Sequence, residues 1–440
     1  MRLLYAIPIV LLPNAAHLPS NVSVSVSVAA IVIAILLGDR EEPYLARASY
    51  LLPPLIALFL AMLIAFVAAQ WSDLSNFGAD LREAKVAILF PFLYLAYRRC
   101  GLDLKGTRQM IMLMLLVAVL AGLEAVFQGL SFNLGSFSNT ERATGPFGPI
   151  NMANRAGVFF AMFLPFLVAL VLQPNQRRFV RLAAIAGSVI LAFAILFTYS
   201  RQAYLIGLFG MMVLLVWRSI PAALLAAVLL VATAASFLPS SVVERVQETQ
   251  QVDATGAVTL DASTSSRFVI WNGTMNMLRD HPAGVGLGRF DRHIGDYTPY
   301  GRPKDAHNGF VLTLAECGPL GLLALLWVFW RLWRLSRWLR RSPGAAKPEL
   351  RTFELGFTLA VISMALGNMY GSPFFDSVIM ANFWVLCGLM ERYGRIKAHS
   401  TVLLEEASEP TTVPLVPVST RFPLAVRAVP GLARLRDALR

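Results

Sequence analysis

Four short segments of this 440-residue chain concentrate the side chains that could carry chemistry. Tyr199-Ser200-Arg201-Gln202 sets an arginine at the junction of two apolar runs. Glu141-Arg142 through Asn154-Arg155 adds two cations around a turn shaped by Gly and Pro. Ser266-Arg267 leads through Trp271 to His281-Pro282-Ala283-Gly284-Val285-Gly286-Leu287-Gly288-Arg289-Phe290. Asp305-Ala306-His307-Asn308-Gly309 opens another apolar run, with Glu316, Gly318 and Gly321 further along it. Arginine's planar fork grips phosphate oxygens in pairs and stays cationic, and histidine accepts or releases a proton near neutrality. Together they suit an anionic diphosphate leaving group and a hydroxyl that must lose its proton. Taken singly, each segment also has a plainer reading: a snorkelling arginine, a solvated loop, an interfacial histidine. The GVGLG run is a weak phosphate cradle, because it lacks the preceding strand and following helix that a dinucleotide site requires. The chemical reading depends on whether the four segments meet on one side of a membrane.

Composition supplies that membrane. The chain is 57% hydrophobic, with a mean hydropathy of +0.62, and it repeats apolar stretches of about 20 residues, the length that crosses a bilayer. The expected fold class is an all-α polytopic membrane protein of about 12 transmembrane helices with a large, partly helical periplasmic loop. Its candidate spans are 3–18, 22–38, 50–70, 84–97, 109–128, 155–172, 179–199, 202–217, 220–237, 308–330, 353–370 and 376–391. Positive flanks stay in the cytoplasm when loops are short. The Arg331 to Arg351 segment, with five further basic residues between its ends, is therefore placed inside. Alternating from it puts Arg2, Arg98, Arg99, Arg108, Arg177, Arg178 and Arg218 inside as well, along with both termini. All four chemical segments then fall outside, where their cations have no topological reason to be. The VSVSVSV run from Val22 to Val28 alternates like a strand, but an isolated strand leaves its backbone unpaired in lipid, so a helix is expected.

Four regions emerge from this layout: N-terminal spans over 1–237, about nine in number; a large periplasmic loop over 238–307; about three C-terminal spans over 308–393; and a basic cytoplasmic tail over 394–440. Loops as long as 238–307 are usually functional or disordered. Phe268 to Leu278 reads as a short helix within it. The tail ends in leucines alternating with arginines and reads either as an amphipathic segment on the anionic inner leaflet or as a disordered end. Met1 to Ser20 has the positive start and apolar core of a signal peptide, and is expected to be a retained first helix.

The net charge of +12 is an orientation signal spread over loops, so nucleic acid is not an expected partner. Cys100, Cys317 and Cys387 are dispersed over separate helices and suggest neither a disulfide framework nor a metal knot. No cofactor and no metal are expected. An outer Asp-x-Asp motif is lacking, which agrees with metal independence, while Asp73, Asp80 and Glu83 leave a carboxylate base open.

The elements RATGPFGPINMAN, TYSRQAY, SSRFVIWNG with HPAGVGLGRF, and DAHNGFVLTLAECGPLGLL resemble the signature segments of the O-antigen ligase and polymerase superfamily. The resemblance covers roughly residues 140 to 325. It implies a glycosyltransferase of the inner membrane, with its active site facing the periplasm, that moves a glycan from an undecaprenyl-diphosphate carrier to an acceptor hydroxyl. By position it implies that His307, Arg267 and Arg201 are catalytic. Arg201 and Arg267, with Arg142 and Asn308, would bind the diphosphate or glycan, and His307 would act on the acceptor hydroxyl in an inverting transfer. The implied partners are the undecaprenyl-diphosphate-linked glycan, membrane lipids, and one of three acceptors: lipid A-core for an O-antigen ligase, a growing chain for an O-antigen or exopolysaccharide polymerase, or a glycoprotein for an O-oligosaccharyltransferase. The expectation is the ligase; the two alternatives share its donor and differ in the acceptor. A polysaccharide-related transporter is the rival of a different class. Transporters place their ionisable groups at the bilayer midplane, whereas here the charges gather at the outer interface.

The topology is testable directly. A reporter fused near Ala257 should be active outside the cytoplasm and one fused near Ala345 inside it; the reverse pair of results would put the four segments in the wrong compartment.

Overall fold

The computed structural model describes residues 2–14, 17–37, 49–71, 76–133, 137–221, 223–225, 228, 239–247, 250–252, 258–260, 262–300, 305–342 and 348–408. Met1–Ala398 forms one compact unit. Its helices are α1 (Arg2–Leu11), α2 (Ser20–Leu37), α3 (Leu52–Ala69), α4 (Phe77–Arg98), α5 (Leu104–Leu130), α6 (Ala153–Leu172), α7 (Arg178–Phe197) and α8 (Arg201–Arg218). After them come α9 (Ser240–Gln247), a small antiparallel hairpin of β1 (Gln250–Val252) and β2 (Val258–Leu260), α10 (Ala262–Asp280), α11 (Phe290–His293), α12 (Gly309–Arg341), α13 (Pro348–Met369) and α14 (Ser377–Ser408). Among the described residues the fold is helical apart from that hairpin, and the VSVSVSV run lies in α2.

Six of the described helices are long and apolar enough to cross a membrane: Leu52–Ala69, Leu104–Leu130, Ile150–Leu172, Arg178–Phe197, Gly309–Arg341 and Pro348–Met369. Arg2–Leu11, Val22–Leu37 and Arg201–Trp217 are apolar but shorter. The first is shorter than the 3–18 stretch expected, since the chain turns at Pro13 and Asn14, the latter with φ +58°. Most of the expected 220–237 span and the tail beyond Ser408 lie outside the described residues.

α6 is the central helix. Phe159, Phe160, Phe163 and Phe166 are all at most 1% exposed, and a helix that is apolar on every side finds its place in the interior. Peripheral helices show apolar faces to the surroundings instead. On α7, Phe179, Leu182, Ile185, Val189 and Phe193 form an exposed stripe at helical spacing, a surface suited to lipid.

Ion pairs mark two opposite ends of the unit. At one, Arg2 pairs with Asp103 at 3.0 Å, Arg108 with Glu349 at 2.5 Å and Arg340 with Glu354 at 3.2 Å. Buried deeper there, Glu391 of α14 holds Arg98 at 3.0 Å and Arg395 at 2.7 Å, with Tyr94 donating to its other oxygen. At the other end, Asp80 is completely buried against Arg289 at 2.5 Å and Arg292 at 3.1 Å. Asp80 was open as a base on sequence grounds; its burial in this double ion pair makes it an anchor for the loop. Asp73 and the Glu83 side chain lie outside the described residues.

The decisive feature of the fold is a break in α12. Gly318 has φ +63° and ψ −169° within it, and Pro319 comes next. Proline has no N–H, so the carbonyl of Ala315 loses its helical donor, and the break strands the next carbonyl as well. The glycine turn after α10 supplies both: Val285 N donates to Ala315 O and Gly286 N to Glu316 O, each at 2.9 Å. Gly284 has φ +90°, and a Cβ there would stand 2.6 Å from the Glu316 carbonyl oxygen and the Gly318 nitrogen. The GVGLG run is thus a plug for a broken helix, a role that demands the glycine at 284, while Gly286 is pressed against α3, where an added Cβ would collide with Ala69 Cβ. Gly284→Val should lower thermal stability by about 1–3 kcal/mol, measured as a drop in unfolding midpoint in detergent. Gly78→Ala, where a Cβ meets only Asn76 Oδ1 at 3.9 Å, should leave the midpoint in place.

Candidate functional site

Each chemical segment is held by a local device. Asn308 caps α12, its Oδ1 accepting from Phe310 N at 2.9 Å and Val311 N at 3.1 Å. The cap fixes His307 just before the helix, in the left-handed region at φ +51°, a conformation that is costly for a residue bearing a Cβ. Asp305 stabilises it: its Oδ1 accepts from His307 N at 3.0 Å, and its Oδ2 accepts from Ser372 Oγ. Gly309 N donates to Gly371 O at 2.8 Å, tying this segment to the loop between α13 and α14. From the loop side, Trp271 of α10 donates to Ala306 O at 2.8 Å. Arg267 lies one turn earlier on the same helix.

A polar cavity of about 450 Å³ opens beside His307, lined also by Asn151, Asn154, Arg155, Gln202, Asp305 and Tyr370. Arg155 bridges two carboxylates, Asp376 at 3.0 Å and Asp305 at 3.5 Å. The His307 ring keeps an exposed face, yet the surrounding walls withdraw enough water to hold its pKa below the ordinary 6.5. The Asp305 carboxylate raises it, and the Arg267 and Arg155 guanidinium groups lower it further. The net effect favours the neutral imidazole, the form able to accept a proton.

A second cluster forms where α7 turns into α8. Tyr199, at φ +48°, reverses the chain, and Ser200 caps α8 by accepting from Ala203 N at 3.4 Å, so that Arg201 becomes its first residue. Arg142 donates to Thr198 O at 3.0 Å and to Asn154 Oδ1 at 2.6 Å. Burial, then the nearby Arg245 and Arg201 charges, push its pKa down to about 10, leaving it cationic at neutrality. Arg245 stacks 4.5 Å from the centre of the Phe137 ring. Arg142, Arg201 and Arg245 therefore form one field of positive charge, connected to the His307 cavity through Asn154.

The structure thus brings His307 together with Arg267, and Arg201 together with Arg142. Arg142 is occupied in joining the turn to α6, and Asn308 spends its Oδ1 on the cap. Sequence reasoning missed Arg245, Tyr370, Ser372 and Asp376. Of these, Asp376 had a local signal, an acid at the start of the last expected span.

Residues 186–326 match the O-antigen ligase family. The matched residues contain Arg201, Arg267, the glycine turn and His307, whereas Arg142, Arg155 and Asp376 lie outside them. The match bears out the resemblance to the O-antigen ligase and polymerase superfamily and supports an enzyme of that kind. No curated protein matches the chain as a relative.

The electrostatics around His307 make a signed prediction. Removing the Arg267 charge with Arg267→Gln should raise the His307 pKa, and removing the carboxylate with Asp305→Asn should lower it. Histidine-selective NMR titration measures both, and shifts of the opposite signs would contradict this arrangement.

Proposed function

We propose that the chain is a multi-pass glycosyltransferase of the bacterial inner membrane, with about twelve spans, both termini in the cytoplasm and its site facing the periplasm. It transfers a glycan from an undecaprenyl-diphosphate carrier to an acceptor hydroxyl, and with lipid A-core as that acceptor it is an O-antigen ligase. The observation that carries this reading is the pairing of a neutral-leaning, solvent-reachable His307 with guanidinium groups in a domain of the O-antigen ligase family.

On this proposal His307 accepts the proton of the attacking hydroxyl. The hydroxyl oxygen forms a bond to the anomeric carbon of the donor sugar as the bond from that carbon to the diphosphate breaks. Direct displacement inverts the anomeric configuration. Arg201 and Arg267 stabilise the negative charge growing on the departing diphosphate, the step at which fixed cations contribute most. Arg142 reinforces that field, and Asn308 holds the helix start beneath His307. Each of these roles falls to a side chain of the protein itself. The charge sits at the end of the unit, where the head groups of a lipid-borne donor and the hydroxyl of an acceptor outside the hydrocarbon can meet, and this favours transfer over midplane transport.

His307→Ala should retain donor binding while transfer falls by about 10²–10⁴. Arg201→Ala and Arg267→Ala should weaken both binding and transfer, and Lys at either position should rescue poorly because the paired fork is lost. Because the His307 pKa is depressed below 6.5 and the neutral ring is the active form, the transfer rate should hold as pH falls to 6.5 and decline below it. Normal transfer by purified His307→Ala would remove its role as base. Deletion in the source bacterium, with analysis of lipopolysaccharide, secreted polysaccharide and glycoproteins, identifies the acceptor by which one loses its glycan.

A further inference from the structure

Arg201 and Gln202 are consecutive in the first turn of α8, so their side chains leave the helix about 100° apart. Arg201 acts on Arg142 within the arginine field; Gln202 lines the cavity beside His307. The start of α8 therefore separates two environments of different charge. Arg155, the arginine among the described residues that line the cavity, is held by both Asp305 and Asp376, so its own charge is balanced by carboxylates, and Arg267 acts on the cavity from beyond its lining, through His307.

The hydrogen-bonding groups of the cavity agree with that balance. Asn154 uses Oδ1 to accept from Arg142 at 2.6 Å, which leaves its amide hydrogens as donors. Gln202 uses Nε2 to donate to Gly367 O at 2.5 Å, which leaves Oε1 as an acceptor. A hydroxyl group both donates and accepts and can satisfy the two together, whereas a diphosphate only accepts and would face Gln202 Oε1 and the Asp305 carboxylate. Tyr370, 49% exposed, lines the same cavity and offers an aromatic face to the C–H surface of a ring.

We infer that this cavity is the subsite for the uncharged, hydroxyl-bearing sugar of the acceptor, and that the diphosphate lies on the Arg201 side of α8, with Arg267, beside His307, at the boundary between the two. The division rests on the glycan-transfer reading above. It makes Tyr370 and Gln202 binding residues for the acceptor sugar, with Asp305 setting the conformation of His307 at the point where the sugar hydroxyl arrives.

The test uses the purified full chain in detergent and ligand-observed saturation-transfer NMR, with galactose, glucose and rhamnose as separate probes. At least one hexose should bind the wild type, and Tyr370→Ala and Gln202→Leu should each weaken that binding by about tenfold. Tyr370→Ala is the variant that keeps the test falsifiable should Gln202→Leu disturb the Gly367 contact. Neither inorganic pyrophosphate nor an undecaprenyl-diphosphate-linked monosaccharide should displace the hexose. Absence of hexose binding, or binding insensitive to Tyr370→Ala, overturns the subsite. Displacement by pyrophosphate overturns the charge division, and displacement by the lipid-linked monosaccharide alone assigns the cavity to the donor sugar and overturns the acceptor assignment. Failure of the underlying reading shows separately, as undecaprenyl diphosphate binding that is unchanged by Arg201→Ala and Arg267→Ala.

Discussion

The break at Gly318 and Pro319 leaves Ala315 O and Glu316 O without helical donors, and two backbone N–H groups of the glycine turn replace them. The rest of the site depends on this exchange. In an apolar environment such groups cannot stay unpaired, because each would cost several kcal/mol. The loop is therefore bound to α12 by necessity, and the segments on either side of the turn are bound with it: Trp271 reaches Ala306, and Asp305 and His307 are presented at the start of the same helix. A helix without the break would have no need of the loop.

Charge around the site is distributed rather than merely accumulated. Arg289 and Arg292 are spent on Asp80, and Arg155 on Asp305 and Asp376. Arg201 and Arg245 lie close enough to Arg142 for each of them to depress its pKa, and a cluster of like charges attracts an anion. The arrangement accounts for why the cations expected on the outer side do not make one undifferentiated basic surface.

The site was legible in the sequence to the extent that its groups are local. The DAHNG segment is both a cap and a histidine within five residues, and TYSRQAY is a turn, a cap and an arginine within seven. The VSVSVSV run was legible as a helix because lipid forbids the lone strand. Pairings across the chain were not legible. Nothing near Asp80 announces Arg289, and nothing near Arg98 announces Glu391; both acids look like ordinary flanking charges until the fold brings their partners up. The glycine turn carried a misleading signal, since a close backbone approach to phosphate and a close approach to a helix both demand glycine. The count of spans was less legible than their existence: among the described residues α1, α2 and α8 are apolar but shorter than the six long spans, and α4 and α14 carry charged residues along their length.

Those long-distance pairs also impose an order in time. Asp80 lies 209 residues ahead of Arg289, and Arg98 lies 293 residues ahead of Glu391. At about 5–20 residues per second, synthesis of the intervening chain takes roughly 10–60 s. During that interval α4 carries Asp80 without Arg289 and Arg98 without Glu391, and charged side chains are costly in lipid. The final seat of α4 is completed by segments made much later, first by the Arg289 turn and then by α14. The fourth helix is thus settled only once α14 has been made.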